Sequence, residues 1–291
     1  MTKRKFQIVT DSSCDMPKEY LKEHEIECVK LGFNMDNVNY EGESGEAITS
    51  EAFYAKLREG SMPTTYQVTG ETAKTHIEPY LEAGKDVLVI AFSSALSGTA
   101  GSFIVAAREL AKKYPKRKIA VVDSLCASMG EGLLLDYVVK KADEGASLED
   151  TQKYAEDLKS SIAHFFTVND LFHLKRGGRV STTTAVIGSI LKIKPVMHVD
   201  DGGHLTVIGK SVGRKKSLHT IVEKLFEVAE IGEGDPIFIS HGDCMEDVEY
   251  VVGLLRAKYP DTEIKVGYVG SVIGAHAGPG VVAIFGKAKN R

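Results

Sequence analysis

Hydroxyl side chains are concentrated in the turn that follows a short apolar run at residues 87–92 (VLVIAF). The run contains β-branched and aromatic residues and is too short for a buried helix, which is typical of a central parallel strand. A helical period begins after Gly101. Because free N–H groups at a helix start point toward a bound anion, this arrangement predicts an anion site. One serine here would commonly be only a helix cap, but four hydroxyl residues lie within seven positions: Ser93, Ser94, Ser97 and Thr99.

A histidine and an arginine in glycine-rich stretches are further candidates. His276 lies among four glycines at residues 270–280 (GSVIGAHAGPG), where we expect a turn between two apolar strands. Glycines allow close backbone approach, and both a functional and an ordinary hydrogen-bonded role stay open for His276. Arg179 ends the sequence KRGGR. Such turns are ordinarily solvated, but a guanidinium beside two glycines also suits a carboxylate or phosphate, which it grips through two hydrogen bonds.

Several nucleotide, hydrolase and metal motifs are incomplete. Residues 203–211 (GHLTVIGKS) resemble a phosphate-binding loop, but five residues separate the glycines where four are required. The sequence has no G-x-S-x-G elbow of a serine hydrolase. His241, Asp243 and Cys244 are near neighbours that rarely converge on one ion, so we expect a strand end there. We therefore predict no metal site, no cofactor and no catalytic residue.

Composition and charge exclude several classes of protein. The 291 residues are 43% hydrophobic and 26% charged, which is ordinary for a soluble protein. A net charge of −4 argues against a nucleic-acid-binding domain. The apolar run in the first residues (MTKRKFQIVTD) is too short for a signal peptide, and we expect no membrane span. The 4 cysteines are far apart, so we predict reduced thiols and a cytoplasmic location.

Strands and helices alternate in the first part of the chain. We predict strands at residues 6–11, 26–33, 87–92 and 119–123, helices at 71–83, 128–145 and 147–162, and loops at 37–44 and 62–69. Such alternation implies a parallel sheet with helices on its faces. Further on, an apolar helix is expected at 185–193, and a hairpin about residues 200–203 (DDGG) ends the alternation. We therefore expect an α/β protein of two domains, residues 1–160 and 161–291.

Seven ordered motifs resemble those of the bacterial DegV family. They are TDSSCD at 10–15, PTTYQ at 63–67, SSALSGT at 93–99, VVDS at 121–124, LKRGGRVS at 174–181, IKPV at 193–196 and IGAHAGPG at 273–280. The resemblance covers essentially the whole chain. It implies a Rossmann-like α/β/α domain with a parallel sheet at the N-terminus and a mixed α/β domain at the C-terminus, with the ligand between them.

The resemblance also implies a function. Family members hold a long-chain fatty acid such as palmitate, and characterised ones are the fatty-acid-binding subunit of a bacterial fatty acid kinase. They present the acyl carboxylate to a separate ATP-binding kinase, which yields an acyl phosphate for phospholipid synthesis. By this resemblance the chain is a lipid-binding protein and not an enzyme, and its partners are a fatty acid and the kinase.

The family's motifs also assign roles to single residues. Thr65 and Ser97 fall on the two hydroxyls that hold the carboxylate in the family. His276 falls on a histidine near the same head group, and Arg179 on an arginine near the head group or the kinase contact. Ser94, in the same motif as Ser97, is expected near the head group as well.

The loop that carries Thr65 departs from the family's usual T-S-Q-P sequence. Tyr66 and Val68 replace the serine and the proline, which puts the shape of the loop and the acyl preference in question. We expect Thr65 on a loop before a helix and Ser97 on the turn after the central strand. In a parallel sheet, both turns open on the crevice at the carboxyl ends of the strands.

Two other hypotheses concern catalysis and partner binding. The alternative to a binding protein is a serine-type acyl hydrolase that uses Ser97 with His276, and the missing elbow argues against it. Two clusters of basic residues on a chain that is acidic overall are either solvated surface or a docking site for the kinase. The residues predicted to dock are Arg176, Arg214, Lys215 and Lys216.

Overall fold

The computed structural model describes residues 4–42, 44–169, 171–180 and 192–291. The strands are β1 (Phe6–Asp11), β2 (Glu27–Val29), β3 (Gly32–Met35), β4 (Val38–Glu41), β5 (Thr64–Tyr66), β6 (Asp86–Ala91), β7 (Ile119–Asp123), β8 (Ile162–Thr167), β9 (Ile193–Val199), β10 (Leu205–Val212), β11 (Ile237–His241), β12 (Ile264–Tyr268) and β13 (Val282–Lys287). The helices are α1 (Lys18–Glu23), α2 (Ser50–Arg58), α3 (Gly70–Glu82), α4 (Thr99–Lys113), α5 (Met129–Asp143), α6 (Leu148–Leu158), α7 (Phe172–Arg176), α8 (Arg214–Val228), α9 (Met245–Lys258) and α10 (Ser271–Ala277).

A parallel sheet forms the N-terminal part, as the alternation of strands and helices predicted. Its strand order is β2-β1-β6-β7, and each neighbouring pair is parallel. The apolar run forms the central strand β6, whose alternate side chains point to opposite faces. Val87 and Val89 pack in the cluster that includes α3 and α4, whereas Leu88 and Ile90 pack in the cluster that includes α5 and α6. Burial on both faces explains why β6 is apolar at consecutive positions.

A six-stranded mixed sheet forms the C-terminal part, in the order β10-β9-β8-β13-β11-β12. The β11–β12 pair is parallel and the other pairs are antiparallel. The predicted hairpin about residues 200–203 connects β9 to β10. Across the sheet, Ser240 on β11 lies opposite Ala283 on β13, which lies opposite Phe166 on β8. These three residues form one row of the sheet.

A small antiparallel sheet, β4-β3-β5, corrects three of the predictions. The predicted loops at 37–44 and 62–69 contain β4 and β5, and the predicted strand at 26–33 is divided between β2 and β3. Asp36 and Asn37 both have positive φ (54° and 65°) and join β3 to β4, the backbone that a tight two-residue hairpin requires. The three-residue strand β5 exists through its pairing with β3, where Thr65 lies opposite Phe33. Local sequence carries no signal for such a pairing.

The glycine-rich stretch 270–280 is not a turn throughout, because it contains helix α10. Gly278, with φ of 77°, ends the helix. Gly274 allows the helix to approach α2, because a Cβ atom at this position would lie 2.6 Å from the Tyr54 hydroxyl oxygen. Tertiary packing therefore stabilises a helix that its glycine content disfavours. Of the helix predicted at 185–193, residues 185–191 lie outside the described residues, and Ile193 begins β9 instead.

Helix α5 packs against both large sheets. It contacts β6 of the parallel sheet and β8, β11 and β13 of the mixed sheet. One apolar cluster accordingly contains Leu88, Leu133 and Phe285 from the parallel sheet, α5 and the mixed sheet. The change of sheet falls between β7 and β8, and the boundary at residues 160 and 161 stays a prediction.

Truncation of a side chain of α5 should destabilise the whole chain. Leu133→Ala should lower the free energy of unfolding by about 2–5 kcal/mol, because Leu133 is fully buried between the sheets and alanine leaves a cavity. The denaturant midpoint measured by circular dichroism checks this. Val105→Ala on α4 is the matched control, because Val105 is 49% exposed and its truncation should leave the midpoint nearly unchanged. Equal midpoints for the two variants would contradict the central position of α5.

Candidate ligand-binding site

An apolar cavity lies between the two large sheets. The cavity volume is about 160 Å³. Most of the lining side chains are apolar and come from both halves of the chain; they include Leu31, Phe92, Leu96, Phe166, Leu205 and Phe285.

The polar lining residues divide into a solvent-facing set and a buried set. The solvent-facing set consists of four half-buried residues, Thr65, Ser97, Arg179 and His276, and of the exposed Tyr66 and Gln67. The buried set consists of Ser128, His164 and Ser240, which are at most 5% exposed. Among the described residues no hydrogen bond joins the two sets. We call the solvent-facing set the outer end of the cavity and the buried set its inner end.

Thr65 and His276 form the central contact of the outer end. The Thr65 Oγ1 atom lies 2.9 Å from Nε2 of His276. Strand β5 presents Thr65, and helix α10 presents His276 from the other half of the chain. The imidazole lies against the backbone at Gly177, where a Cβ atom would come within 2.0 Å of Nδ1. Only glycine at this position leaves room for the ring in its observed place.

The imidazole of His276 is neutral at physiological pH. Burial, together with the positive charges of Arg179 and Arg176, lowers its pKa to about 4. The Nδ1 atom is buried and has no hydrogen-bond partner among the described residues. A neutral ring has one donor and one acceptor nitrogen, so the bond to Thr65 runs in one of two directions. If Nε2 carries the proton, it donates to Thr65 Oγ1, and the hydroxyl proton of Thr65 is then available to a ligand.

Ser97 lies in the turn before α4 and not beside His276. Its Oγ atom is 2.9 Å from Oγ1 of Thr99 and accepts a hydrogen bond from the Thr99 amide at 3.3 Å. His276 bonds to Thr65 instead. The structure shows no hydrogen bond between Ser97 and His276 and therefore does not support the hydrolase hypothesis. The outer end has the hydroxyls of an anion site, and the hydroxyl that contacts His276 is that of Thr65.

Two arginines hold the outer end together. Arg179 donates from Nε to the Leu96 carbonyl at 3.0 Å and from Nη1 to the Gly177 carbonyl, which fixes the plane of its guanidinium beside the cavity. Arg176 donates to the Pro63 carbonyl and the Ala275 carbonyl, both at 3.0 Å. It therefore joins the segment before β5 to helix α10. The guanidinium of Arg176, predicted to dock a partner, is engaged inside the protein.

Other predicted residues lie away from the cavity. Ser94 is exposed and does not line the cavity, so the structure does not bring it together with Thr65 and Ser97. Arg214 forms an ion pair with Asp247 at 2.8 Å and donates to the Gly280 carbonyl. Lys215 and Lys216 are exposed on the first turn of α8.

The two departures from the family's usual loop sequence have different surroundings. Val68 is buried in the core, with 1% exposure. Tyr66 is 44% exposed, and its ring covers Gly32 and Gly42, where added Cβ atoms would come within 2.3 Å and 3.0 Å of the tyrosine. Glycines on the neighbouring strand and turn thus make room for the larger side chain.

Sequence reasoning missed Gln67 and the whole inner end. Gln67 lines the cavity and packs on Gly98, where a Cβ atom would lie 2.2 Å from the amide oxygen. At the inner end, Ser128 contacts Ser240, with Oγ atoms 2.9 Å apart, and also donates to the Asp15 carboxylate. A serine inside the otherwise apolar start of β11 (IFIS) was the available signal for Ser240.

Some site types are not found among the described residues. Their histidine, cysteine and acidic side chains form no group of three that could hold a metal ion. None of their helices is both long enough and apolar enough to cross a bilayer. All four cysteines, Cys14, Cys28, Cys126 and Cys244, are free thiols.

Fold and site together define an α/β protein with an apolar cavity between two sheets and an anion-type site at its outer end. A sequence model described as "Uncharacterised protein, DegV family" matches residues 5–289. A DegV domain-containing protein of Clostridium perfringens is 43% identical over 282 residues, 97% of this chain and 97% of that protein. The chain belongs to the DegV family.

Solved structures of the family have the same fold. A DegV family protein from Thermus thermophilus, described for its fatty acid binding, is 30% identical with a TM-score of 0.87, over 98% of this chain and 100% of that one. DegV of Bacillus subtilis, described as a fatty acid binding protein, is 30% identical with a TM-score of 0.82, over 99% of this chain and 100% of that one. The predicted α/β architecture and the predicted family are confirmed.

Acid should destabilise the protein through His276. The pKa of this group is about 4 when folded and about 6.5 when unfolded, so the unfolded chain binds the proton more readily. As the pH falls from 6.5 to 4, this difference should remove on the order of 3 kcal/mol of stability. His276→Asn should show a smaller loss between pH 7 and pH 4.5, measured by guanidinium unfolding.

The control for this pH dependence is His219→Asn, exposed on α8, which should keep the wild-type loss. Burial raises the pKa values of Asp11 and Asp15 to about 6 and about 7, so their protonation stabilises the folded chain as the pH falls. This effect is the same in all three proteins. Their contribution cancels in the comparison. An undiminished acid loss in His276→Asn would show that His276 is not held neutral by its surroundings.

Proposed function

We propose that this chain binds a long-chain fatty acid in the cavity, with the carboxylate at the outer end and the alkyl chain between the sheets. The observation that carries the proposal is the pair of Thr65 and neutral His276 at the half-buried end of an otherwise apolar cavity. The Thermus thermophilus and Bacillus subtilis relatives, both described as binding fatty acids, support it. The ligand then lies between the two predicted domains, residues 1–160 and 161–291.

The outer end offers hydrogen-bond donors to a carboxylate. With the proton of His276 on Nε2, the imidazole donates to Thr65, and Thr65 donates its own proton to the ligand. When Thr99 donates in the contact between the two hydroxyls, the hydroxyl proton of Ser97 is available to the ligand. The N-terminus of α4 and the positive charge of Arg179 add favourable electrostatics for an anion. The hydroxyls orient the carboxylate, and the positive charges attract it.

The alkyl chain supplies most of the binding free energy. Burying about 15 methylenes at roughly 0.8 kcal/mol each gives on the order of 12 kcal/mol before association and ordering costs. A chain of this length, such as that of palmitate, suits the apolar lining. The carboxylate orients the ligand, and the tail holds it.

We further propose that the chain presents the carboxylate to a separate ATP-dependent fatty acid kinase, which forms an acyl phosphate for phospholipid synthesis. The chain would act in the cytoplasm as a substrate-presenting subunit and not as the catalyst. The outer end suits this role, because Thr65 and Ser97 are only half-buried and Gln67 beside them is exposed. A carboxylate held there is accessible to a second protein. Mass spectrometry of lipid extracted from the purified protein tests the binding step most directly.

Removing either hydroxyl should weaken fatty-acid binding without abolishing it. Hydrogen bonds to a charged group contribute about 1.5–3 kcal/mol each, so Ser97→Ala and Thr65→Val should each raise the Kd for palmitate roughly 10- to 150-fold. The tail remains buried, which keeps binding measurable. Titration by calorimetry gives both constants.

Ser94→Ala is the matched control, because Ser94 lies in the same turn but is exposed outside the cavity. It should bind palmitate like the wild type. Unchanged affinity in both Ser97→Ala and Thr65→Val would place the carboxylate elsewhere. A loss in Ser94→Ala equal to that of Ser97→Ala would indicate a general disturbance of the turn.

Kinase docking is best tested at Lys215 and Lys216. Arg176 and Arg214, also predicted to dock, are engaged in internal bonds, and their substitution would disturb the fold. The double variant Lys215→Glu and Lys216→Glu should weaken binding of the kinase more at low salt than at high salt, because screening reduces the effect. Fatty-acid affinity should not change.

Lys153→Glu, exposed on α6, is the control for a change of charge elsewhere on the surface. It should leave kinase binding near the wild-type value. Surface plasmon resonance at two salt concentrations measures the difference. Kinase binding that is equally strong in all variants would exclude α8 from the contact.

A further inference from the structure

The inner end of the cavity is polar although it is buried. Ser128 immediately precedes α5, and Ser240 lies on β11 in the row with Ala283 and Phe166. Both serines line the cavity, with 5% and 0% exposure. Both hydroxyls have a partner within the protein, which offsets the cost of their burial, and both residues still line the space that a ligand would fill.

The hydrogen bonds at the inner end have a direction. When the Asp15 carboxyl is ionised, Ser128 donates its single hydroxyl proton to it. The contact between Ser128 and Ser240 therefore has Ser240 as the donor. Ser240 has then used its proton, and its oxygen presents lone pairs toward the cavity. The Ser240 oxygen can therefore accept a hydrogen bond from a donor group of the ligand.

His164, the other polar residue of the inner end, does not compete for this role. Its Nε2 atom accepts the Ala127 amide, and its Nδ1 atom lies 2.8 Å from the Ile162 carbonyl. Both ring nitrogens are therefore occupied in the neutral form. Burial lowers its pKa, which keeps the ring neutral. The two serines remain as the groups that can contact a ligand.

The inner serines are held in place by an unusual backbone and by both halves of the chain. Ser128 has φ of 54° and ψ of −146°, a region that is nearly exclusive to glycine. Its partner Asp15 has φ of 52° and accepts a hydrogen bond from the Gly270 amide. Such strained conformations persist only where the surroundings over-determine them, and they cluster at ligand clamps.

We propose that Ser240 and Ser128 form a hydroxyl-binding subsite at the inner end, so that the cavity accepts a hydroxy fatty acid whose chain hydroxyl donates to Ser240. This inference rests on the proposed fatty-acid binding. A hydroxyl both donates and accepts, so it also fits when Asp15 is protonated and the direction of the bonds is reversed. A ketone only accepts, and it leaves Ser240 without a donor.

The test compares octadecanoic acid with hydroxyoctadecanoic acids substituted at positions 9, 10, 12 and 18, titrated into the wild type and Ser240→Ala. A hydroxyl placed in an apolar wall costs roughly 5- to 150-fold in affinity. We expect one isomer to bind the wild type at least as tightly as octadecanoic acid. In Ser240→Ala that isomer should lose about 5- to 100-fold, whereas octadecanoic acid should keep its Kd.

Two controls define the interpretation. Ser211 is a buried serine on β10 outside the cavity lining. Ser211→Ala should therefore keep the wild-type affinity ratio between the preferred hydroxy acid and octadecanoic acid. The oxo acid with its ketone at the preferred position should bind the wild type more weakly than the hydroxy acid.

Two outcomes overturn the subsite. In the first, every hydroxy isomer binds more weakly than octadecanoic acid, by the same factor in the wild type and in Ser240→Ala. The serines then serve only to join the two halves, and the proposed function stands because octadecanoic acid still binds. If octadecanoic acid itself does not bind, the proposed function fails and the subsite fails with it.

Discussion

The hydrogen bond between Thr65 and His276 is the contact on which the outer end of the cavity depends. It joins a short strand of the N-terminal half to a short helix of the C-terminal half. Neither element is stable by itself, because β5 has only three residues and α10 is seven residues with a central glycine. Arg176 bonds the same two segments in parallel through the carbonyls of Pro63 and Ala275. The anion site therefore forms only when both halves are in place.

Much of the fold could be predicted because its strongest elements follow from local pattern. The apolar runs of β1, β6 and β7 and the alternation with helices are sufficient for a parallel sheet. The elements that could not be predicted, β5 and α10, depend on partners distant in sequence. Thr65 pairs with Phe33, and Gly274 packs on Tyr54. Propensity is a weak guide where such contacts determine the structure.

The site shows the same division. The family's motifs placed Thr65, Ser97, His276 and Arg179 around one cavity, and the structure has all four on its lining. Which of them bond to each other could not be read from the motifs, since His276 is 2.9 Å from Thr65 and not paired with Ser97. The inner end could not be predicted at all. Its hydrogen bonds connect residues more than 100 positions apart, and no local pattern identifies a serine in a buried strand as a lining residue.

The two ends of the cavity have opposite electrostatic character, which favours one orientation of the acyl ligand proposed above. Arg179 and Arg176 lie at the outer end, close enough to lower the pKa of His276. Asp15 lies behind the inner end, where burial raises its pKa to about 7, with Glu41 and Asp11 adding to the effect. A carboxylate placed at the inner end would approach Asp15, and the charged groups that act on the pKa of Asp15, Glu41 and Asp11, are acidic as well. In the proposed binding mode the carboxylate lies at the outer end, where it meets hydroxyl donors and positive charge, so both ends favour the proposed orientation.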